Sequence, residues 1–299
     1  MSHEDPAPDP RRGPGRRAVV VGGVAVAGLI AAGVLNSGRI AAPSAVAQGR
    51  LVDQLLSTPR FSVAHRGGDL DWPEMSLFAY QKSVARGVNG LEVSLARTSD
   101  GVWFGLHDVT LDRTSGTKGF IAAEHTWAEV NSHRITSSHT TNSTQPSRPY
   151  LRLETLVRAY GGTHTIFIDP KAVRHQYYPE LFDLLGTLVA HPTKTFVAKG
   201  YYPSAQWSNA AKDRGYQRWG YFFASDLARD PNAMVTSEGL WSILGLEYSA
   251  SAAAWKTMLS FGKPVIGHII HRKSDAGKAI ALGARGLMIS GVTEVLGQP

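Results

Sequence analysis

The 299-residue sequence contains no cysteine. Disulfides, thiolate metal sites and cysteine nucleophiles are removed together, so any nucleophile or ligand must be built on nitrogen or oxygen. Dense Lys/Arg blocks are missing as well. The formal net charge is +7, but five of the arginines and three of the acids precede Gln48, and the remaining basic residues are dispersed. No nucleic acid is expected as a partner, whereas a small anionic substrate or a lipid surface suits the balance. Charged residues make up only 18% against 43% hydrophobic, a globular rather than a disordered composition. Long uncharged runs are absent with one exception, Ala18 to Leu35.

That run follows a polar, Pro-rich start carrying Arg11, Arg12, Arg16 and Arg17, and leads to the small-residue tract Ala45-Val46-Ala47 before Gln48. A positive n-region, an apolar stretch and a small-residue cleavage site describe an export signal, and the length also permits a membrane anchor. Residues 1–48 are therefore expected to be a signal peptide or anchor. The protein is expected to be exported, either extracellular or anchored at the cell surface, with residues 49–299 forming one catalytic-sized domain.

From Phe61 onward, short apolar runs alternate with amphipathic stretches, the pattern of βα units and a parallel sheet. Strands are predicted near Ser62–His65, Gly90–Leu95, Val102–Leu106, Thr165–Asp169, Thr195–Lys199, Trp219–Phe223, Ser242–Glu247, Pro264–Ile269 and Gly286–Ser290. Helices are predicted at Ser76–Arg86, Leu153–Tyr160, Glu180–Ala190, Ser204–Arg214, Ser249–Phe261 and Asp275–Leu282. The fold class is α/β, a (β/α)8 TIM barrel, with an open doubly wound sheet as the alternative. The Ser/Thr/Asn/His-rich stretch Thr114–Arg148 lacks periodicity and reads as a loop insertion overhanging the site.

Polar residues that interrupt the apolar pattern gather at the predicted strand ends: His65, Glu92, Ser94, His107, Asp169, Lys171, Lys199, Glu247 and His268. The C-terminal ends of barrel strands are where such folds place their active sites. The runs His65-Arg66-Gly67-Gly68, Pro73-Glu74-Met75-Ser76, Leu91-Glu92-Val93-Ser94, Ser99-Asp100-Gly101 and His107-Asp108, with Leu111-Asp112-Arg113-Thr114 and Phe167-Ile168-Asp169-Pro170-Lys171, resemble the glycerophosphodiester phosphodiesterases in order and spacing. The resemblance is strongest before Thr114.

The resemblance implies His65 and His107 as an acid/base pair and Arg66 with Lys171 as phosphate contacts. It also implies Glu92 and Asp169 as carboxylates for a divalent metal, Mg2+ or Ca2+. Glu74 would orient a histidine or complete the metal shell, and Lys199 is a pocket candidate. Three positions depart from the pattern. Ser94 stands where the family usually has Asp, Asp169 where it has Glu, and Met75 where Asn is common. A hydroxyl at position 94 is a weaker oxygen ligand than a carboxylate, so cation binding is expected to be weakened or displaced. The leading expectation is hydrolysis of a glycerophosphodiester to glycerol phosphate and an alcohol. The alternatives are a phospholipase- or sphingomyelinase-like enzyme acting on intact lipid, and a non-catalytic phosphodiester-binding relative.

Overall fold

A computed structural model describes residues 51–136 and 146–297. The expected export segment, residues 1–48, lies outside the described residues. Eleven strands follow in chain order: β1 Phe61–Ala64, β2 Gly90–Arg97, β3 Trp103–Gly105, β4 Arg134–Ile135, β5 Arg148–Pro149, β6 Thr165–Asp169, β7 Phe196–Tyr201, β8 Gln217–Phe222, β9 Ile243–Glu247, β10 Val265–Ile270 and β11 Gly286–Ile289. Strands β1, β2, β6, β7, β8, β9, β10 and β11 pair in that order, all parallel, and β11 returns to β1, closing a (β/α)8 barrel. The predicted strand at Val102–Leu106 exists as β3 but stays outside the barrel. It runs antiparallel to the protruding end of β2, with Leu95 opposite Gly105 and Arg97 opposite Trp103.

Alternation along each strand sorts side chains between two cores. Phe61, Val63, Phe167, Val197, Trp219, Tyr221, Ile243, Ile266 and Met288 fill the barrel interior, and Val52 and Leu55 of the helix Leu51–Ser57 belong to the same cluster. Intervening residues such as Leu91, Val93, Ile166, Ile168, Ala198 and Leu244 face the surrounding helices. Because both faces of each strand are buried, the strands read as continuous apolar runs. Each fully buried large apolar side chain contributes roughly 1.5–3 kcal/mol, so the two cores dominate the stability.

The helices begin where the sequence supplies caps. Ser76 Oγ accepts from the Ala79 N–H at 3.1 Å to start Leu77–Ala85, and Ser251 does the same for Ala252–Ser260. The stretch expected as a loop insertion has structure of its own, including the helix Trp127–Ser132, capped reciprocally by Thr126 and Glu129. The antiparallel pair β4–β5 sets Arg134 opposite Pro149 and Ile135 opposite Arg148. A third core under it joins Phe104, Leu106, Leu111, Val130, Ile135 and Tyr150. Elements of two to six residues span less than two helical turns, so no periodicity marks them in the sequence. Among the described residues, no helix is long and apolar enough to cross a membrane.

Candidate active site

The first βα turn needs an unusual backbone. Arg66, Gly67 and Gly68 all have positive φ, 47°, 76° and 88°. A Cβ at Gly67 would lie 3.0 Å from Ala79 Cβ, and one at Gly68 would lie 2.9 Å from the Trp72 ring. Glycine therefore answers both the conformation and the crowding. The turn aims the Arg66 N–H at Glu92 Oε2 at 2.7 Å and gives the Arg66 carbonyl to the Met75 N–H, also at 2.7 Å. Met75, where Asn is common in the family, has φ 54° and is buried.

His65 leaves the end of β1 fully enclosed. Its Nδ1 lies 2.9 Å from Ser290 Oγ and 3.3 Å from Asp69 Oδ1. An ionised carboxylate only accepts, so Nδ1 carries the proton and Nε2 is left with its lone pair. His107 repeats the arrangement: its Nδ1 donates to Asp108 Oδ1 at 2.7 Å. Burial pulls both imidazoles below the usual histidine value, against the opposing pull of Asp69 and Asp108. The Asp108 carboxylate is held well below its ordinary range, first by the bond to His107 and then by Arg113. Asp69 is likewise lowered by His65 despite its own burial.

Arg113 ties the second dyad down. Its Nε donates to Asp108 Oδ2 at 2.6 Å, and its two terminal nitrogens grip Glu74 at 2.7 and 2.8 Å. Glu74 is completely buried and also faces the Arg66 guanidinium at 3.7 Å. Its carboxylate thus orients the arginines beside the site and touches neither histidine. Replacing Arg113 by Met leaves Asp108 loosely held and Glu74 short of its main partner. The expected outcome is about a tenfold fall in kcat/KM, the lower end for lost supporting contacts. A stability loss on the order of 2–3 kcal/mol should accompany it. Steady-state kinetics on diesters and urea titration measure the two effects; unchanged kcat/KM would remove Arg113 from the site.

The two histidines face one small cavity, lined also by Arg66, Lys171, Lys199, Tyr221 and His268. Lys171 donates to the Tyr221 hydroxyl, and its Nζ lies 3.6 Å from Asp169 Oδ2. Burial lowers the Lys171 ammonium and raises the Tyr221 phenol. His268 donates from Nε2 to the Phe222 carbonyl at 2.9 Å and sits edge-on to Trp219, Tyr221 and Phe223. Glu247, another strand-end candidate, accepts instead from the Ala224 N–H at 2.8 Å and from Ser249, supporting the start of a helix.

Glu92, Ser94 and Asp169 do converge, with Ser94 and Asp169 in register on adjacent strands. What they converge on is Lys199. Its buried Nζ lies 2.8 Å from Glu92 Oε1 and 2.8 Å from Asp169 Oδ2. Ser94 Oγ donates to Glu92 Oε1 at 3.1 Å. Both oxygens of Glu92 are therefore committed to N–H and O–H donors. Burial pushes Glu92 up, but Lys199, His65 and Arg66 outweigh it and bring it down to about 2. The two carboxylates in turn raise the Lys199 ammonium against its own burial. Ca2+ asks for six to eight oxygens and Mg2+ for an octahedron. Among the described residues, no group of three or more His, Asp or Glu is placed to hold a metal. These residues, with an ammonium already among them, do not fit a divalent cation.

The residues missed in the sequence are Asp69, Asp108, Ser290, Arg113 and Tyr221. Asp108 and Arg113 stood within matched motifs without a role, and an acid four residues after His65 was the one local sign of Asp69. Ser290, separated from His65 by 225 residues, left none.

The glycerophosphoryl diester phosphodiesterase family model matches residues 65–183, the stretch holding both histidine dyads. The human glycerophosphodiester phosphodiesterase 1 is 32% identical over 117 residues, 38% of this chain and 35% of that protein. The chain spans about a third of the length of the curated relatives first matched. A glycerophosphodiester phosphodiesterase structure from Agrobacterium tumefaciens superposes with TM-score 0.61 at 15% identity, covering 80% of this chain and all of that one. A phosphodiesterase from Oleispira antarctica, in complex with the product sn-glycerol-3-phosphate, gives 0.64 at 17% identity over 79% and 95%. The structural likenesses establish the barrel, and residues 65–183, with both histidine dyads among them, are similar to the glycerophosphoryl diester phosphodiesterase family.

Proposed function

We propose that this protein is a phosphodiesterase that hydrolyses soluble glycerophosphodiesters to glycerol phosphate and an alcohol. The carrying observation is the pair of imidazoles, each held at Nδ1 by a carboxylate, facing a cavity that Arg66, Lys171 and Lys199 make positive. A phosphodiester resists hydrolysis because its charge repels nucleophiles and its alkoxide leaves poorly. Cations on the phosphoryl oxygens answer the first difficulty and a proton donor the second. One imidazole takes the proton of the attacking water at Nε2 as the new P–O bond forms. The other, protonated at Nε2, gives its proton to the departing oxygen as the old P–O bond breaks. Asp69 and Asp108 hold the rings and stabilise whichever becomes imidazolium.

Members of the family generally depend on a divalent metal. The Mg2+ or Ca2+ expected at Glu92, Asp169 and Ser94 would supply further charge on the phosphoryl oxygens, but Lys199 stands between those carboxylates, and no step above requires a metal. The apolar run and arginines within residues 1–48 support export, with release or anchoring at the cell surface. N-terminal sequencing of protein from the medium and from membranes checks this, and a chain that stays inside the cell intact refutes it.

Incubating the purified protein with glycerophosphocholine and related diesters, and following release of sn-glycerol-3-phosphate, tests the activity. Turnover of soluble diesters is expected. Turnover confined to phospholipid vesicles would replace this reading with a lipid phosphodiesterase acting at a membrane surface. Binding without turnover would replace it with a binding protein.

A further inference from the structure

We propose that Lys199 serves as a built-in cation in place of a divalent metal, so that the protein binds no Ca2+ or Mg2+ at this site and acts without one. What the charge is used for rests on the phosphodiesterase reading; the claim about metal binding does not.

The geometry is that of a charge already satisfied. Two carboxylates, Glu92 and Asp169, each place an oxygen 2.8 Å from Nζ, a distance typical of charge-assisted N–H···O bonds. All three residues are buried to within a few per cent. A dication bridging Glu92 Oε1 and Asp169 Oδ2 would compete for the same lone pairs and lie within a few ångströms of a buried ammonium, where repulsion is poorly screened. The remaining Glu92 oxygen is held by the Arg66 N–H, and the neighbouring Ser94 adds no negative charge and spends its proton on Glu92.

Three cations, Arg66, Lys171 and Lys199, line the cavity together with the two histidines, so positive charge for a phosphodiester anion is already in place. An ammonium has three N–H groups, and the two carboxylates take two of them. The third is available to a phosphoryl oxygen from the wall of the cavity that Lys199 lines. Two aromatic faces keep the ammonium in place, with Tyr221 at 5.0 Å and Trp219 at 5.9 Å from Nζ.

The test uses the full chain after chelator treatment. Ca2+, Mg2+ and Mn2+ are titrated separately by calorimetry, and glycerophosphocholine hydrolysis is followed in EDTA and in each cation. The unmodified protein is expected to show no saturable cation binding at millimolar concentrations and a rate indifferent to EDTA. Lys199→Met is expected to lower the rate about 100-fold and to create saturable divalent binding between the freed carboxylates. Adding Ser94→Asp to it should tighten that binding. One-to-one binding of a dication by the unmodified chain overturns the proposal, as does a rate that EDTA abolishes and Ca2+ or Mg2+ restores. If no diester is hydrolysed under any condition, the phosphodiesterase reading falls while calorimetry still decides the role of Lys199. If Lys199→Met does not fold, the unmodified chain decides it alone.

Discussion

Replacing His65 or His107 by Gln should lower kcat on a glycerophosphodiester by about 10²- to 10⁴-fold, the range for a lost general acid or base. The cations proposed to hold the phosphoryl group are untouched, so KM should move little. The two substitutions are separable by leaving group. A p-nitrophenyl phosphodiester expels a weakly basic phenolate that needs no proton, so one variant should recover much of its rate on that substrate and the other should not. Recovery by neither, or by both, contradicts the division of labour between acid and base. The pH profile adds a second check. Burial lowers both imidazoles from 6.5, and the free protein needs one neutral and one protonated. The profile of kcat/KM should therefore be bell-shaped with its maximum below pH 6.5, falling as rising pH strips the acid of its proton. A maximum above that value would show that neither lowered histidine is the acid.

The barrel was legible in the sequence because its strands are buried on both faces and so appear as short continuous apolar runs. Val102–Leu106 has the same appearance for a different reason: its residues pack under the insertion and against the protruding end of β2. Composition does not distinguish a strand inside a barrel from one leaning on its rim. The helices Leu51–Ser57, Ala224–Arg229 and Ala233–Ser237 were missed because five to seven residues hold too few turns for a helical period to stand out. At the site, His65, Arg66, Glu92, His107, Asp169 and Lys171 were legible as polar interruptions at strand ends within motif-like runs. Their relations were not. That Glu74 serves arginines depends on the turn after β1 meeting the segment after β3, and that Ser290 meets His65 and Lys199 enters the space between Glu92 and Asp169 depends on strands brought side by side.

Acid should destabilise the protein from just below neutrality, well before its carboxylates titrate. His268 is enclosed by Trp219, Tyr221 and Phe223 at ring distances of 5.3–6.0 Å, and burial, only partly opposed by its bond to the Phe222 carbonyl, brings it down to about 3. Its unfolded counterpart protonates near 6.5. Between these values the unfolded chain binds a proton that the folded one refuses, so the stability it contributes is present above pH 6.5 and lost as the pH falls toward 3. Between pH 6.5 and 4.5 this one residue should remove about 2 kcal/mol. His65, His107 and His164, also lowered by burial, act in the same direction. The depressed carboxylates Asp69, Glu92 and Asp108 lose their contribution only below about pH 4.5, where their unfolded forms begin to protonate, so the higher window belongs to the histidines. Urea titrations across that window should show the slope, and His268→Gln, which cannot titrate, should flatten it by about the same 2 kcal/mol whatever it does to stability at neutral pH. An unchanged slope in the variant would mean that His268 takes up its proton in the folded state, and the aromatic enclosure around it would have to open to water to allow that.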